Sequence, residues 1–312
     1  MSRKPQILIV SDVPGWAYDN VSSAIIKVLQ PDYDFHKVYA KDLPVIDHRA
    51  YDLVYCMYWR SDFLERNQVP REKLCLQVAS FWSWQETYQI TLEHLVESFL
   101  NRACAVSVNC PGLFSAIDPL HPNVFLNPSG VDIEKFQPHA PKSTKNEAVL
   151  TVGWTGSTTA HGDNKGLLDL IQPACQALDN VALITVTKEK HWLPHNKMPQ
   201  FYKDIDVYIC ASKSEGTPNP VLEAAASARA VISTPVGIVP MLIQEGVNGF
   251  IIERKMEAVK HAIRLLRDNR QRCVEMGVCN RQIIETQGWS WENRAKNYQC
   301  MFDTILKRQT CS

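Results

Sequence analysis

Apolar residues recur in this chain as short, nearly unbroken runs separated by longer mixed stretches. The runs are Ile7–Val10, Leu53–Tyr58, Leu74–Ala79, Ala105–Val108 and Val124–Leu126, then Ala148–Val152, Val181–Thr187 and Val207–Ala211, with Gly249–Ile252 at the end of the series. Runs this short, apolar throughout, are what central strands of a parallel sheet require, because helices cover both of their faces. The intervening segments predict helices over Asn20–Leu29, Gln85–Asn101, Pro111–Ile117, a stretch ending near Leu178, Met198–Lys203, Met256–Arg267 and a last helix from Trp289 to about Lys307. Alternating strand and helix predicts doubly wound α/β sheets.

The chain of 312 residues suits two such domains. Pro138–Glu147 carries two prolines and mixed charges and reads as the linker. The expected division is therefore 1–137, linker 138–147, 148–288, and a terminal helix over 289–312 that returns to the first domain. The 33 basic and 33 acidic residues cancel, which removes any electrostatic case for a nucleic-acid partner. Ten cysteines are scattered without a CxxC. Cys56, Cys75 and Cys210 lie in apolar runs, where cysteine acts as a small hydrophobe, so a reducing, cytoplasmic setting is expected. The opening residues hold too short an apolar run for a signal peptide, and no run reaches membrane-spanning length. Met256–Arg267 is amphipathic and basic, which reads as a solvated face or as peripheral membrane contact.

Candidate chemistry concentrates in Val207–Ile252. A buried strand enters a loop holding Glu215, Gly216 and Thr217, and Asn219-Pro220 then opens a helix. Asn at the N-cap and Pro at the first helical position are preferred start signals. The amides of that first turn, with the helix dipole behind them, form an anion site. Because Pro218 and Pro220 lack N–H groups, the donors expected are Val221 and Leu222. Glu223 lies one turn inside the helix, eight residues after Glu215. A carboxylate there can accept from two adjacent hydroxyls, as a ribose presents. In the same half, Gly153-Trp154-Thr155-Gly156-Ser157 follows a strand and precedes Lys165-Gly166, a glycine loop whose successive amides could form an anion nest. His161 reads as a polar loop residue. Asp204-Ile205-Asp206 spells DxD, but one Asp at the entry to a buried strand is structural, and the pair offers too few oxygens for a divalent ion; no metal is expected.

In the first half, ligands of such sheets sit at the carboxyl ends of strands. Asp12, Trp16 and Asn20 either face a ligand there or are ordinary loop residues. Ser80-Phe81-Trp82-Ser83-Trp84 offers aromatic rings for stacking on a sugar, although packing under a loop is the commoner use.

Strand, Ser-x-x-Glu-Gly, Asn-Pro, Leu-Glu-Ala, then Ser233-Thr234, Gly237 and Glu245-Gly246-Val247-Asn248-Gly249 resemble in this order the E-x7-E region of family 4 retaining glycosyltransferases. Asn127 to Asp132 with Phe136-x-Pro138, and the Trp289-Ser290-Trp291-Glu292 start of the last helix, resemble the same family. The resemblance implies the GT-B fold, two facing Rossmann-like domains with a cleft between them. It implies a nucleotide diphosphate sugar as donor in the second domain, no cofactor, and a glycan, lipid-linked or small-molecule hydroxyl as acceptor in the first. It puts Glu215 beside the donor sugar, Glu223 on the ribose and Lys165 on the diphosphate. The chain departs from the pattern at Trp154, where Arg is usual, at Ala228 and Ala230, where Gly and Pro are usual, and at Pro240, where Glu is usual. The rival readings are a nucleotide-sugar epimerase of similar architecture and a non-catalytic nucleotide-sugar binder.

Overall fold

The computed structural model describes residues 3–139, 148–159, 162–190 and 192–311. Most of the expected linker, residues 140–147, and His161 lie outside that range. The chain forms two compact units, Met1–Ser129 with Trp291–Ser312, and Gly130–Ser290. The division thus falls before Gly130, upstream of the stretch whose composition marked the linker.

The first unit holds a six-stranded sheet of β1 (Gln6–Ser11), β2 (Asp34–Tyr39), β3 (Leu53–Cys56), β4 (Leu74–Val78), β5 (Ala105–Val108) and β6 (Val124–Leu126). Its order is β2-β1-β3-β4-β5-β6, parallel throughout. Helices α1 (Ala17–Leu29), α2 (Asp62–Asn67), α3 (Leu92–Ser98) and α4 (Pro111–Ile117) connect the strands. The single long helix expected over Gln85–Asn101 is broken. Gln89 is left-handed at φ 51°, and Thr91 starts α3 afresh by accepting from the His94 N–H.

The second unit holds β7 (Leu150–Gly156), β8 (Val181–Thr187), β9 (Val207–Cys210), β10 (Ala230–Ser233) and β11 (Gly249–Ile251), in the parallel order β11-β10-β9-β7-β8. Its helices are α5 (Gln172–Gln176), α6 (Met198–Lys203), α7 (Asn219–Ala226), α8 (Val239–Leu242), α9 (Met256–Asp268) and α10 (Arg270–Thr286). The last helix, α11 (Trp291–Cys311), belongs to the first unit. Trp291, Ala295, Tyr298, Phe302 and Ile305 recur on one face and join the core of α1, β1 and β3. The Tyr298 hydroxyl donates to the Asn127 carbonyl at 3.0 Å, fixing the helix on the end of β6.

Asp206 is structural in the way the sequence implied. It is buried, accepts from the Thr151 amide at 2.8 Å and pairs with buried Arg270 at 3.0 Å, so it joins β7, β9 and α10. Asn248 and Asn280 form a second buried tie. The Asn248 amide donates to Asn280 Oδ1 at 2.8 Å, and the Asn280 amide returns a bond to the Asn248 carbonyl at 2.7 Å.

The turn from α7 to β10 is left-handed at Ala228, φ 55°, where a glycine would sit without strain. Ala228→Gly is expected to raise stability by about 1 kcal/mol. Urea denaturation should show a higher midpoint at an unchanged slope.

Candidate functional site

In the second sheet the chain leaves β7 towards β8 on one side and returns to β9 on the other. That reversal creates a crevice outside the carboxyl ends of β7 and β9, the place where open α/β sheets bind ligands. Lys165 arrives there from the segment after β7, and Glu215 from the loop after β9. Their side chains meet at 2.6 Å, both largely buried. Ser212 Oγ donates to the same Glu215 oxygen at 2.8 Å. Burial works against the charge of Lys165, but Glu215 outweighs it, and the ammonium is held above the ordinary lysine range. The lysine's share of the pair is therefore fully present at neutral pH and is lost as pH rises through that raised range. An ammonium has three donors, and the bond to Glu215 uses one of them.

Gly156 makes room for this arrangement. A Cβ there would lie 2.8 Å from Lys165 Cδ and 3.0 Å from the Trp154 ring. The nest expected over Gly153–Ser157 does not form, because β7 runs on through Gly153, Trp154, Thr155 and Gly156, all paired with β8. Gly153 instead permits close packing on Ile205, which a Cβ would meet at 2.4 Å. Trp154 is 2% exposed and belongs to the core, while Thr155 accepts at its carbonyl from the Tyr208 hydroxyl at 3.4 Å. Beyond the strand, Glu189 gathers the loop by accepting from the Ser157, Thr158 and Thr159 hydroxyls and the Thr158 amide. The Ser157 hydroxyl, with these other donors, holds the Glu189 carboxyl down to about 2. The tether is present above the usual glutamate range and is lost as pH falls towards that value.

The helix start differs from expectation in its cap. Pro218 occupies the cap position and Asn219 is already helical, with no side-chain cap bond. Asn219 Oδ1 is buried and makes no hydrogen bond. The Val221 N–H, expected to face an anion, donates to the Pro218 carbonyl at 2.9 Å. That leaves the amides of Asn219 and Leu222 as those the turn could offer. Gly216 is buried, with its carbonyl accepting from the Ile238 amide at 3.0 Å, so the loop after β10 buttresses the Glu215 loop. Thr217 is half-buried.

Glu223 is 8% exposed, and both of its oxygens are engaged. The Tyr202 hydroxyl donates to Oε2 at 2.7 Å, and His195 Nε2 lies 2.9 Å from Oε1. Neither partner was legible in the sequence, because they lie 21 and 28 residues away. A cavity of about 60 Å³ opens beside Lys165, Trp154 and Ser157, and an open groove of about 550 Å³ runs past Ser212, Thr234 and Arg254. Among the described residues no cluster of three or more His, Cys, Asp or Glu side chains could hold a metal ion. Nor is any of their helices long and apolar enough to cross a membrane.

In the first unit, Asp12 directly follows β1, where that sheet also reverses direction, Trp16 caps α1 and Asn20 lies in its first turn. Trp16 is 41% exposed, and its carbonyl accepts from the Asn20 amide at 3.0 Å. Of the aromatic stretch, Trp84 is buried against Phe81, with ring centroids 5.8 Å apart, and Trp82 is half-buried.

Residues 151–269 match the model of the family described as Glycosyl transferases group 1, a match spanning well under half of the chain. The fold extends further. Sucrose-phosphate synthase from Thermosynechococcus elongatus superimposes with a TM-score of 0.72 at 14% identity, covering 98% of this chain and 100% of that one. HepE of Anabaena, solved with UDP and glucose, gives 0.69 at 14% identity over 96% of this chain and 100% of its own. A glycosyltransferase from Rickettsia africae gives 0.65 at 13% identity over 98% and 100%. The chain thus has the GT-B fold of two parallel-sheet α/β domains. No curated protein sequence matches it significantly.

Proposed function

We propose that this chain is a retaining glycosyltransferase that moves a sugar from a nucleotide diphosphate sugar to a hydroxyl-bearing acceptor. The observation that carries the reading is the Lys165–Glu215 pair at the reversal of the second sheet, beside the start of α7, with Glu223 one turn inside. The group 1 family match covers this same region, and HepE, which shares the fold, was solved with UDP and glucose.

In this reading the diphosphate takes the remaining donors of Lys165 and the first amides of α7. Charge building on the leaving diphosphate then meets groups already oriented towards it, which is electrostatic preorganisation. Glu223 accepts from the ribose hydroxyls, since each carboxylate oxygen has a second lone pair beyond the bond it already makes. Glu215, neutralised by Lys165 and oriented by Ser212, lies beside the sugar and supports positive charge at its anomeric carbon. The acceptor hydroxyl attacks from the face the diphosphate leaves, and the leaving phosphate receives its proton. This route uses no enzyme nucleophile and no metal. Asp12, Trp16 and Asn20 are the proposed acceptor-side residues, and the cytoplasm the proposed compartment.

A thermal-shift screen with UDP, GDP, dTDP, CDP and ADP tests the donor assignment. One nucleotide at about 100 times its dissociation constant should stabilise the fold by about 2.7 kcal/mol. No shift with any of the five contradicts the proposal. Incubating the matching sugar nucleotide with and without acceptor, followed by NMR, distinguishes transfer with retained configuration from epimerisation.

A further inference from the structure

Glu223 is the end of a chain of hydrogen bonds that no sequence motif announces. Lys135 Nζ lies 2.8 Å from His195 Nδ1, His195 Nε2 lies 2.9 Å from Glu223 Oε1, and the Tyr202 hydroxyl donates to Glu223 Oε2 at 2.7 Å. Phe136, 1% exposed, wedges between the two rings, 5.6 Å from His195 and 5.7 Å from Tyr202 by ring centroids. Asp132 fixes the backbone of this segment by accepting from the Lys135 amide at 3.0 Å.

The chemistry of the chain has a direction. A lysine ammonium only donates, so His195 Nδ1 must accept. The imidazole proton is then confined to Nε2, which donates to Glu223. We infer that Lys135, by donating to His195 Nδ1 and so holding the ring with its Nε2–H on Glu223, and Tyr202 are positioning residues that aim the Glu223 carboxylate at the ribose of the donor. This rests on the proposed nucleotide-sugar site and adds residues that act through Glu223 without touching the reacting atoms. It also gives a purpose to the Asp132…Phe136 segment: it delivers Lys135 and the aromatic wedge to α6 and α7.

The test has two arms. Long-range ¹⁵N NMR of the full chain at neutral pH should show His195 as the Nε2–H tautomer, and Lys135→Met, which takes away the donor to Nδ1 while Glu223 still accepts from Nε2, should move the Nδ1 resonance towards that of an acceptor nitrogen with no donor. The second arm measures affinity for whichever of UDP, GDP, CDP and ADP stabilises the wild type, and for inorganic pyrophosphate, which has no ribose. His195→Ala and Tyr202→Phe should each weaken nucleotide binding about tenfold and leave pyrophosphate binding unchanged. A tenfold loss is the scale of one hydrogen bond to a charged group. His195→Gln, whose amide can donate to Glu223 and accept from Lys135, should recover most of the loss.

An Nδ1–H tautomer or an imidazolium in the wild type overturns the inference, as does equal weakening of nucleotide and pyrophosphate binding. Glu223→Gln, measured alongside, separates two failures. If it weakens nucleotide binding and His195→Ala does not, the positioning chain is wrong and the donor site stands. If Glu223→Gln also has no effect, the ribose assignment itself falls.

Discussion

Lys165→Ala is expected to lower turnover of the donor by about 10²–10³-fold, the scale of losing one preorganised charge at a leaving group. The variant removes the cation and leaves Glu215 with Ser212 as its remaining described partner, in a site where both members of the pair are largely buried. Stability should fall as well, because a carboxylate stripped of its cation keeps its desolvation cost. Thermal unfolding separates the effects: a folded variant with lost turnover and weakened pyrophosphate binding supports the assignment. Glu223→Ala should act on a different quantity. If Glu223 holds the ribose as proposed, losing that interaction costs about 1.5–3 kcal/mol, so the variant should raise the KM for the sugar nucleotide and spare pyrophosphate binding. Normal turnover by folded Lys165→Ala would remove that residue from the mechanism.

Gly237→Ala is the structural counterpart. Gly237 has φ 54°, and a Cβ on it would lie 1.6 Å from the Gly216 carbonyl oxygen and 2.9 Å from that of Glu215. No rotamer relieves a collision with backbone, so the Glu215 loop must move. The expected cost is about 2–4 kcal/mol, with loss of activity in whatever fraction still folds. Gly246→Ala is the control. Gly246 is also left-handed, at φ 74°, but its added Cβ would meet only the end of the Arg272 side chain, at 3.5 Å. It should show the backbone penalty of about 1–2 kcal/mol alone and keep its activity. Equal effects of the two variants in a denaturation series would refute the buttress.

The buried strands were legible because both of their faces are covered. β5, buried throughout, coincides with its apolar run; β6 and β8, half-buried strands at the sheet edges, coincide with theirs because their sequences stay apolar or β-branched. β2 escaped notice because Asp34, His36 and Lys37 interrupt its apolar pattern and leave no continuous run. α10 was missed for a related reason. Its buried face includes Arg270, Gly277 and Asn280, which satisfy Asp206, the Ala228 turn and Asn248, so its apolar period is weak. The strand–loop–helix of the site was readable from local order, because Glu215, Gly216 and Glu223 lie on consecutive elements. What surrounds them was not. Tyr202, His195 and Lys135 reach Glu223 through tertiary packing that no spacing rule encodes, and the glycine loop was misread because β7 continues through it. Gly153 and Gly156 serve close packing and the Lys165 stem instead of an anion nest.

The central claim is that the second unit holds a nucleoside diphosphate at the reversal of its sheet. A crystal structure of the chain soaked with the nucleotide that stabilises it most tests this directly. Phosphate oxygens are expected within hydrogen-bond distance of Lys165 Nζ and the first turn of α7, with ribose hydroxyls on Glu223. A nucleotide bound elsewhere in the unit, with the Lys165–Glu215 pair and Glu223 untouched, would contradict it.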